Sequence, residues 1–429
     1  MKNQVFLLLL SAICNCQQYQ LEFVQTVWRH GSRAALEPLY PIFEEDWIYG
    51  GSGYGELTPT GMAQMHQLGE EIRMRYINDT KFLSQKYTSK ELYIRSTDHN
   101  RTIVAGQSLL YGLYPPGIWN QLDIDYPSNV VDWQQGFTFI PIRVDDINDC
   151  STNEQCDCPR FLQLMNISNN LPEVNNAFMA YVALTEKVTQ LYNISIIPDN
   201  ELVLARWPDT LACQRTAFNQ TLYDKCSWYN EEFFTQSQMV VAPMKGFIEG
   251  YYKNSSILNG LDIGREVRTI KVGTLLNEIR ERAVNRFNCN GKCTGFFKNI
   301  KFYGYSAHDQ NVYSLLLAFG LQHHTGTLDT WPDFAAAVFF EFYRGDDNQM
   351  YFKLLYRANG TSGIRSLTTE INGCNGKDFC PISVMNTVAD YYKPSVDLKT
   401  LCNTLIDTSG SKQLSFLISI SFVIFRWLC

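Results

Sequence analysis

The sequence predicts an α/β core carrying an inserted, mostly α-helical cap. Two observations carry this. Strand-like and helix-like periods alternate near both ends of the chain, and the middle loses that alternation while gaining cysteines, asparagines and N-x-S/T triplets. The 429 residues suffice for one large domain with an insertion, or for two domains. Hydrophobic residues make up 45%, and no repeat or long low-complexity tract interrupts them, which marks a globular chain. The formal net charge of −7 argues against a nucleic-acid surface.

Residues 1–16 join Lys2 to an apolar stretch from Val5 to Leu10 and then to small residues, the pattern of a secretory signal peptide. Leu21 to Val27 alternates as LEFVQTV, the period of a half-buried strand. Behind Thr60 as a cap, Met62, Met65, Leu68, Ile72 and Tyr76 recur at helical spacing. Glu91 to Arg95 reads as a short strand. A helix follows over about 98–111, stopped by Gly112 and Pro115-Pro116. Strands return at 300–306, 335–343 and 350–356, with a helix at 310–319. The core is therefore expected from 17–115 and 238–405, and the cap from 116–237.

The tail, 406–429, holds an apolar run from Leu414 to Leu428, interrupted by Arg426 and preceded by Thr408, Ser409, Gly410 and Ser411. As a helix it would span about 22 Å, short of a ~30 Å hydrocarbon core. That fits a GPI-attachment signal better than a spanning helix, with a short membrane anchor as the alternative. Setting aside Cys14, Cys16 and Cys429 leaves an even set of ten cysteines, which suits an oxidising compartment. Cys150/Cys156, Cys213/Cys226, Cys289/Cys293 and Cys374/Cys380 are spaced as local staples, leaving Cys158 and Cys402 for one long-range bridge. A zinc reading of Cys156-Asp157-Cys158 lacks a C-x₂-C pair and a nearby His. Asn78, Asn166, Asn193, Asn219, Asn254 and Asn359 start glycosylation triplets. Asn100 starts another, only five residues from Arg95, and is read as a chance triplet.

Three stretches carry chemistry, each where a strand gives way to a turn or helix. In Arg29-His30-Gly31-Ser32-Arg33, two permanent cations with planar forks flank an imidazole, and Gly31 lets backbone approach a ligand. Adjacent cations depress the His30 pKa, which keeps it neutral and nucleophilic. In Tyr93-Ile94-Arg95-Ser96-Thr97-Asp98, an arginine stands beside a helix N-terminus, an anion-binding arrangement. In Ser306-Ala307-His308-Asp309, a carboxyl group can protonate a departing alkoxide if its surroundings raise its pKa, and His308 adds a donor. The bland alternatives are a solvated basic loop, a surface pair of Arg95 with Asp98, and a helix cap at Asp309. Among the remaining histidines, His99 lies near enough to reach a substrate. His66 reads as packing or surface. His323-His324 is a pair after a helix end.

Taken in this order, RHGSR, YIRSTD with Arg101-Thr102 after it, and SAHD resemble the signature set of the histidine acid phosphatases. LTPTGMAQMHQLGEEIRMRY is similar to that family's first core helix, and Cys158-Pro159-Arg160 to a disulfide-bearing point of its lysosomal and prostatic members. The resemblance covers most of residues 20–405. It implies a three-layer, phosphoglycerate mutase-like α/β core with a helical cap, hydrolysis of phosphate monoesters through a phosphohistidine, and no cofactor or metal. By matched position it implies His30 as nucleophile, Asp309 as proton donor, and Arg29, Arg33, Arg95 and His308 as phosphate ligands. It also implies a homodimer, and a secreted, surface or lysosome-like location. Where the family pairs the cysteine matching Cys213 with one in the strand after the His-Asp motif, residues 335–343 hold no Cys, so Cys226 is the expected partner. Phytase-like or lysophospholipid phosphatase activity, and a non-catalytic surface glycoprotein keeping the fold, are the alternatives.

Overall fold

The structure is a computed structural model. It describes residues 18–407 apart from 48–52, 118–119, 146–151, 153–156, 193–200, 290–291 and 326–330. The expected signal peptide, the tail beyond 407, the Cys150/Cys156 pair and Asn193 lie outside the described residues, as does the side chain of Asn219.

The chain opens with β1 (Tyr19–Arg29), α1 (Pro59–Arg73), β2 (Leu92–Ser96), α2 (Asn100–Leu113) and β3 (Ile142–Val144). The helices α3 (Pro159–Ser168), α4 (Pro172–Leu191), α5 (Glu201–Lys225) and α6 (Glu231–Ile248) follow. A small hairpin of β4 (Ile257–Leu258) and β5 (Leu261–Asp262) leads to α7 (Ile263–Arg268) and α8 (Thr274–Asn288). Then come β6 (Phe302–Ala307), α9 (Asp309–Ala318), β7 (Ala337–Gly345), β8 (Met350–Arg357), β9 (Arg365–Ser366), β10 (Cys380–Pro381), α10 (Ile382–Tyr392) and α11 (Leu398–Asn403).

The main sheet runs β10-β8-β7-β1-β6-β2-β3, with β9 on β8. β1, β6, β2 and β3 are parallel, and β7 joins β1 antiparallel. The two-residue period of β1 sorts its side chains onto two faces. Val24 and Trp28 pack with Met65, Leu68 and Ile72 of α1 and Leu109 of α2. Phe23 and Val27 pack with Leu276 and Ile279 of α8 and Leu315 of α9. Both faces of the sheet are thus covered by helices, the three-layer arrangement expected. Thr58, not Thr60, caps α1: its side chain accepts from the Gly61 N–H, and Pro59 follows at the first helical position.

The cap does not keep to 116–237. Its expected end falls inside α6, and β3 joins the main sheet beside β2. Helices α3, α4, α6, α7 and α11 share one apolar core, including Leu164, Tyr181, Val241, Phe247, Val267 and Leu401. Cys158–Cys402 ties the start of α3 to α11 across 244 residues, and Cys289–Cys293 and Cys374–Cys380 close local loops. Cys213 and Cys226 are not bonded; both are buried free thiols. Their spacing reads as a loop staple, but the chain between them is helix. Cys213 lies midway along α5 and Cys226 just past its end, with helical chain on both sides of a kink at Phe218 between them rather than the short loop a local disulfide closes.

Candidate active site

Three carboxyl-terminal strand ends meet here. Arg29, the last residue of β1, is in register with Ala307, the last residue of β6. β2 flanks β6 on its other side. The helices after β1 and β2 cover one face and α9, after β6, covers the other, so the chain diverges at this edge. Such a divergence opens a ligand crevice in α/β sheets.

The RHGSR turn is locked against the start of α1. The Thr58 N–H and hydroxyl both donate to the Ser32 carbonyl, and the Ser32 N–H donates to Gln64 Oε1. A Cβ on Gly31 would lie 2.2 Å from the Gly61 carbonyl oxygen, and one on Gly61 would lie 2.0 Å from that of Ser32. Only two glycines allow this backbone-on-backbone contact. Gly31→Ala is therefore expected to destabilise the protein by about 3 kcal/mol or more and to lower kcat/KM by moving His30. A thermal melt and a rate matching wild type would contradict this.

His30 is buried, and its Nδ1 lies 2.8 Å from the Gly31 carbonyl. A carbonyl only accepts, so Nδ1 carries the proton and Nε2 keeps its lone pair. Burial, then the charges of Arg101, Arg29, Arg33 and His308, push the His30 pKa well below the ordinary histidine value. The ring therefore stays neutral into acidic solution. The His308 ring meets those of His30 and His99 edge-on, with centroids at 5.9 and 5.2 Å, and its Nε2 lies 2.9 Å from Thr97 Oγ1. His308 is the N-cap of α9, so Asp309 is the first residue of that helix rather than its cap.

Arg29 donates to the Pro332 carbonyl at 2.7 Å, pairs with Asp309 at 3.1 Å and lies over the Phe334 ring. Arg33 Nη2 reaches both carboxylate oxygens of Asp209 of α5, at 3.0 and 3.1 Å, and Nη1 touches the Cys213 thiol. Lys245 of α6 lies over Trp331, 5.2 Å from the ring centroid. Burial alone would push the Asp309 carboxyl up. Arg29, Lys245, a hydrogen bond from Trp331 and His308 instead hold it well below the usual carboxylate range. The donor role read from the sequence requires a raised Asp309 pKa, and that condition is not met while only cations surround the group.

Arg95 is not part of this cluster. It pairs in register with Tyr305, as Val27 does, whereas Arg29 pairs with Ala307, two residues nearer the open edge. Its guanidinium meets Asp145 at 2.6 Å and Glu278 of α8 at 3.0 Å and lies over the Tyr305 ring. Strand alternation turns it to the α8 face, while Ile94 faces α1 and α2. Arg101, in the first turn of α2, is the buried arginine whose charge weighs most on His30.

The family model of the histidine phosphatase superfamily, branch 2, matches residues 20–357. The chain belongs to this superfamily. It is 44% identical over 389 residues to "Putative acid phosphatase 10" of Caenorhabditis elegans, covering 90% of this chain and 94% of that protein. It is 30% identical over 409 residues to prostatic acid phosphatase of Rattus norvegicus, covering 92% and 93%. The phytase of Citrobacter braakii shares the fold, with a TM-score of 0.59 at 14% identity, over 89% of this chain and 99% of that one.

Within this branch-2 phosphatase, then, the structure brings together His30, Arg29, Arg33, His308 and Asp309 from the sequence expectation. It adds Arg101, Asp209, Lys245 and Trp331. Arg101 had a signal, since it opens a helix directly after the second motif. Asp209, Lys245 and Trp331 belong to no local motif and arrive by long-range packing. His66 is a partly exposed helix residue paired with Glu70. His323 and His324 lie past the far end of α9, beside Glu370, and Arg365 donates to His324.

Proposed function

We propose that this acid phosphatase hydrolyses phosphate monoesters through a phosphohistidine formed on His30. The observation that carries the reading is a neutral imidazole, its Nε2 lone pair available, set among Arg29, Arg33, Arg101 and His308 with a carboxyl group at Asp309. The four cationic or donor groups hold the phosphate oxygens. Nε2 attacks phosphorus as the ester P–O bond breaks, and the leaving oxygen takes a proton from Asp309. The ring gains positive charge, which strengthens the Nδ1–H bond to the Gly31 carbonyl. Asp309, now ionised, accepts a proton from the water that attacks the phosphohistidine, which releases phosphate and returns both groups to their starting states.

The Asp309 proton arrives with the substrate. In the free protein the carboxyl is ionised and paired with Arg29. A phosphate drawing Arg29 to itself removes that partner and adds negative charge, and both raise the Asp309 pKa. A phosphate ester loses its second proton near pH ~6. Below that value the ester monoanion brings the proton that Asp309 needs, and above it the proton is missing. kcat/KM is therefore expected to fall as pH rises through about 6. The acid limb belongs to His30 and lies well below the ordinary histidine value.

Asp309→Asn is expected to lower kcat on alkyl phosphates by about 10²–10⁴-fold. The loss should be smaller on 4-nitrophenyl phosphate, whose leaving group departs without a proton, and the alkaline limb should flatten. An equal loss on both substrates, with the limb unmoved, would contradict the donor role.

We also propose a secretory route, supported by the N-terminal pattern and by three disulfides. Asn254 is exposed and fits a glycosylation site there. No helix among the described residues is long and apolar enough to cross a membrane. Membrane attachment therefore rests on the tail sequence alone.

A further inference from the structure

We propose that Lys245 forms a subsite for a second anionic group on the leaving alcohol, so that the protein favours phosphate monoesters with a carboxylate or further phosphate beside the scissile ester. The proposal rests on the roles given above to His30 and Asp309.

The neighbours of Lys245 place it beside the proton donor. Asp309 and Tyr313 stand one turn apart on α9. The Trp331 ring stacks on Tyr313 with centroids 4.5 Å apart and lies under the Lys245 ammonium. Lys245 is accordingly the second cation, after Arg29, acting on the Asp309 carboxyl. A rigid aromatic wall therefore presents one positive charge beside the position of the departing oxygen.

That charge is uncommitted. Among the described residues Lys245 makes no hydrogen bond or ion pair, while Asp309 is taken by Arg29 and Asp209 by Arg33. Surface lysines carry the ammonium into water; this one is only partly exposed, in a cleft shared with two arginines. A desolvated cation that faces only an aromatic ring and carboxylates already paired to arginines is costly, and an anionic group on the ligand offsets that cost. A neutral leaving group gains nothing from it.

The test uses two esters that differ at one carbon. In 2-phosphoglycerate the leaving alcohol carries a carboxylate, and in glycerol 2-phosphate it carries a hydroxymethyl group instead. The readout is the ratio of kcat/KM for the first to that for the second, at one acidic pH, in wild type, Lys245→Met and Lys245→Arg. Both esters need the same proton, so the ratio cancels any effect of Lys245 on Asp309. Wild type is expected to favour 2-phosphoglycerate, Lys245→Met to lower the ratio by about tenfold or more, and Lys245→Arg to keep most of it. An unchanged ratio in Lys245→Met overturns the subsite. If that variant cannot be obtained folded, a wild-type preference for glycerol 2-phosphate overturns it just as well. Absence of turnover of both esters by wild type instead overturns the phosphatase reading, and the subsite with it.

Discussion

His30→Ala is expected to lower kcat by about 10⁴-fold or more on every phosphate monoester, with the fold intact. The expectation follows from how little else in the site can attack phosphorus. Arg29, Arg33 and Arg101 are permanent cations without a lone pair to offer. Asp309 is the group expected to carry a proton when substrate binds. The His308 Nε2 lies 2.9 Å from Thr97 Oγ1. Only His30 combines a burial-depressed pKa with a proton fixed on Nδ1 by the Gly31 carbonyl. Removing the ring leaves the arginines to bind phosphate, so binding of inorganic phosphate, read by calorimetry, should persist in the variant while turnover is lost. That pairing separates a chemical defect from an unfolded protein.

Arg101→Ala and Arg95→Ala are expected to behave oppositely. Arg101 is the cation felt most strongly at His30, and losing one charge-stabilising donor costs about 10²–10³-fold in kcat/KM. Arg101→Lys should recover only part of that, because an ammonium lacks the planar fork that grips two phosphate oxygens. Arg95 lies lower on the sheet, between Asp145 and Glu278. Its loss leaves two carboxylates facing each other in a partly buried setting. Arg95→Ala should therefore destabilise the protein by about 3 kcal/mol and leave the kcat/KM of the folded fraction within about threefold. Denaturant melts alongside steady-state kinetics on both variants separate the cases. A catalytic collapse for Arg95→Ala with a mild effect for Arg101→Ala would reverse the assignment.

What the sequence made legible was local. The alternation of Leu21 to Val27 specified a strand with two apolar faces, and Val24 and Phe23 do pack on opposite layers. Motifs at strand ends pointed to the open edge of the sheet, where His30, His308 and Asp309 meet. What was not legible depended on neighbours far along the chain. An arginine inside a strand and one a turn into the next helix look equally suited to an anion. Only the register of Arg95 with Tyr305, and a partner on α8, decide between them. The Asp309 carboxyl reads as a raised acid until Arg29 and the cap residue Lys245 are seen beside it. The Cys213 and Cys226 spacing implied a loop because the helical chain between them, broken at Phe218, has a patchy apolar pattern.

The mechanism requires a covalent phosphate on His30. Mixing the protein with ³²P-labelled substrate, quenching in denaturant at alkaline pH and mapping the labelled peptide tests it most directly. Label is expected on the peptide containing His30, stable to base and lost in acid as a phosphoramidate requires, with no label in His30→Ala. Rapid turnover with no label on the wild-type protein, or label on another residue, would contradict it.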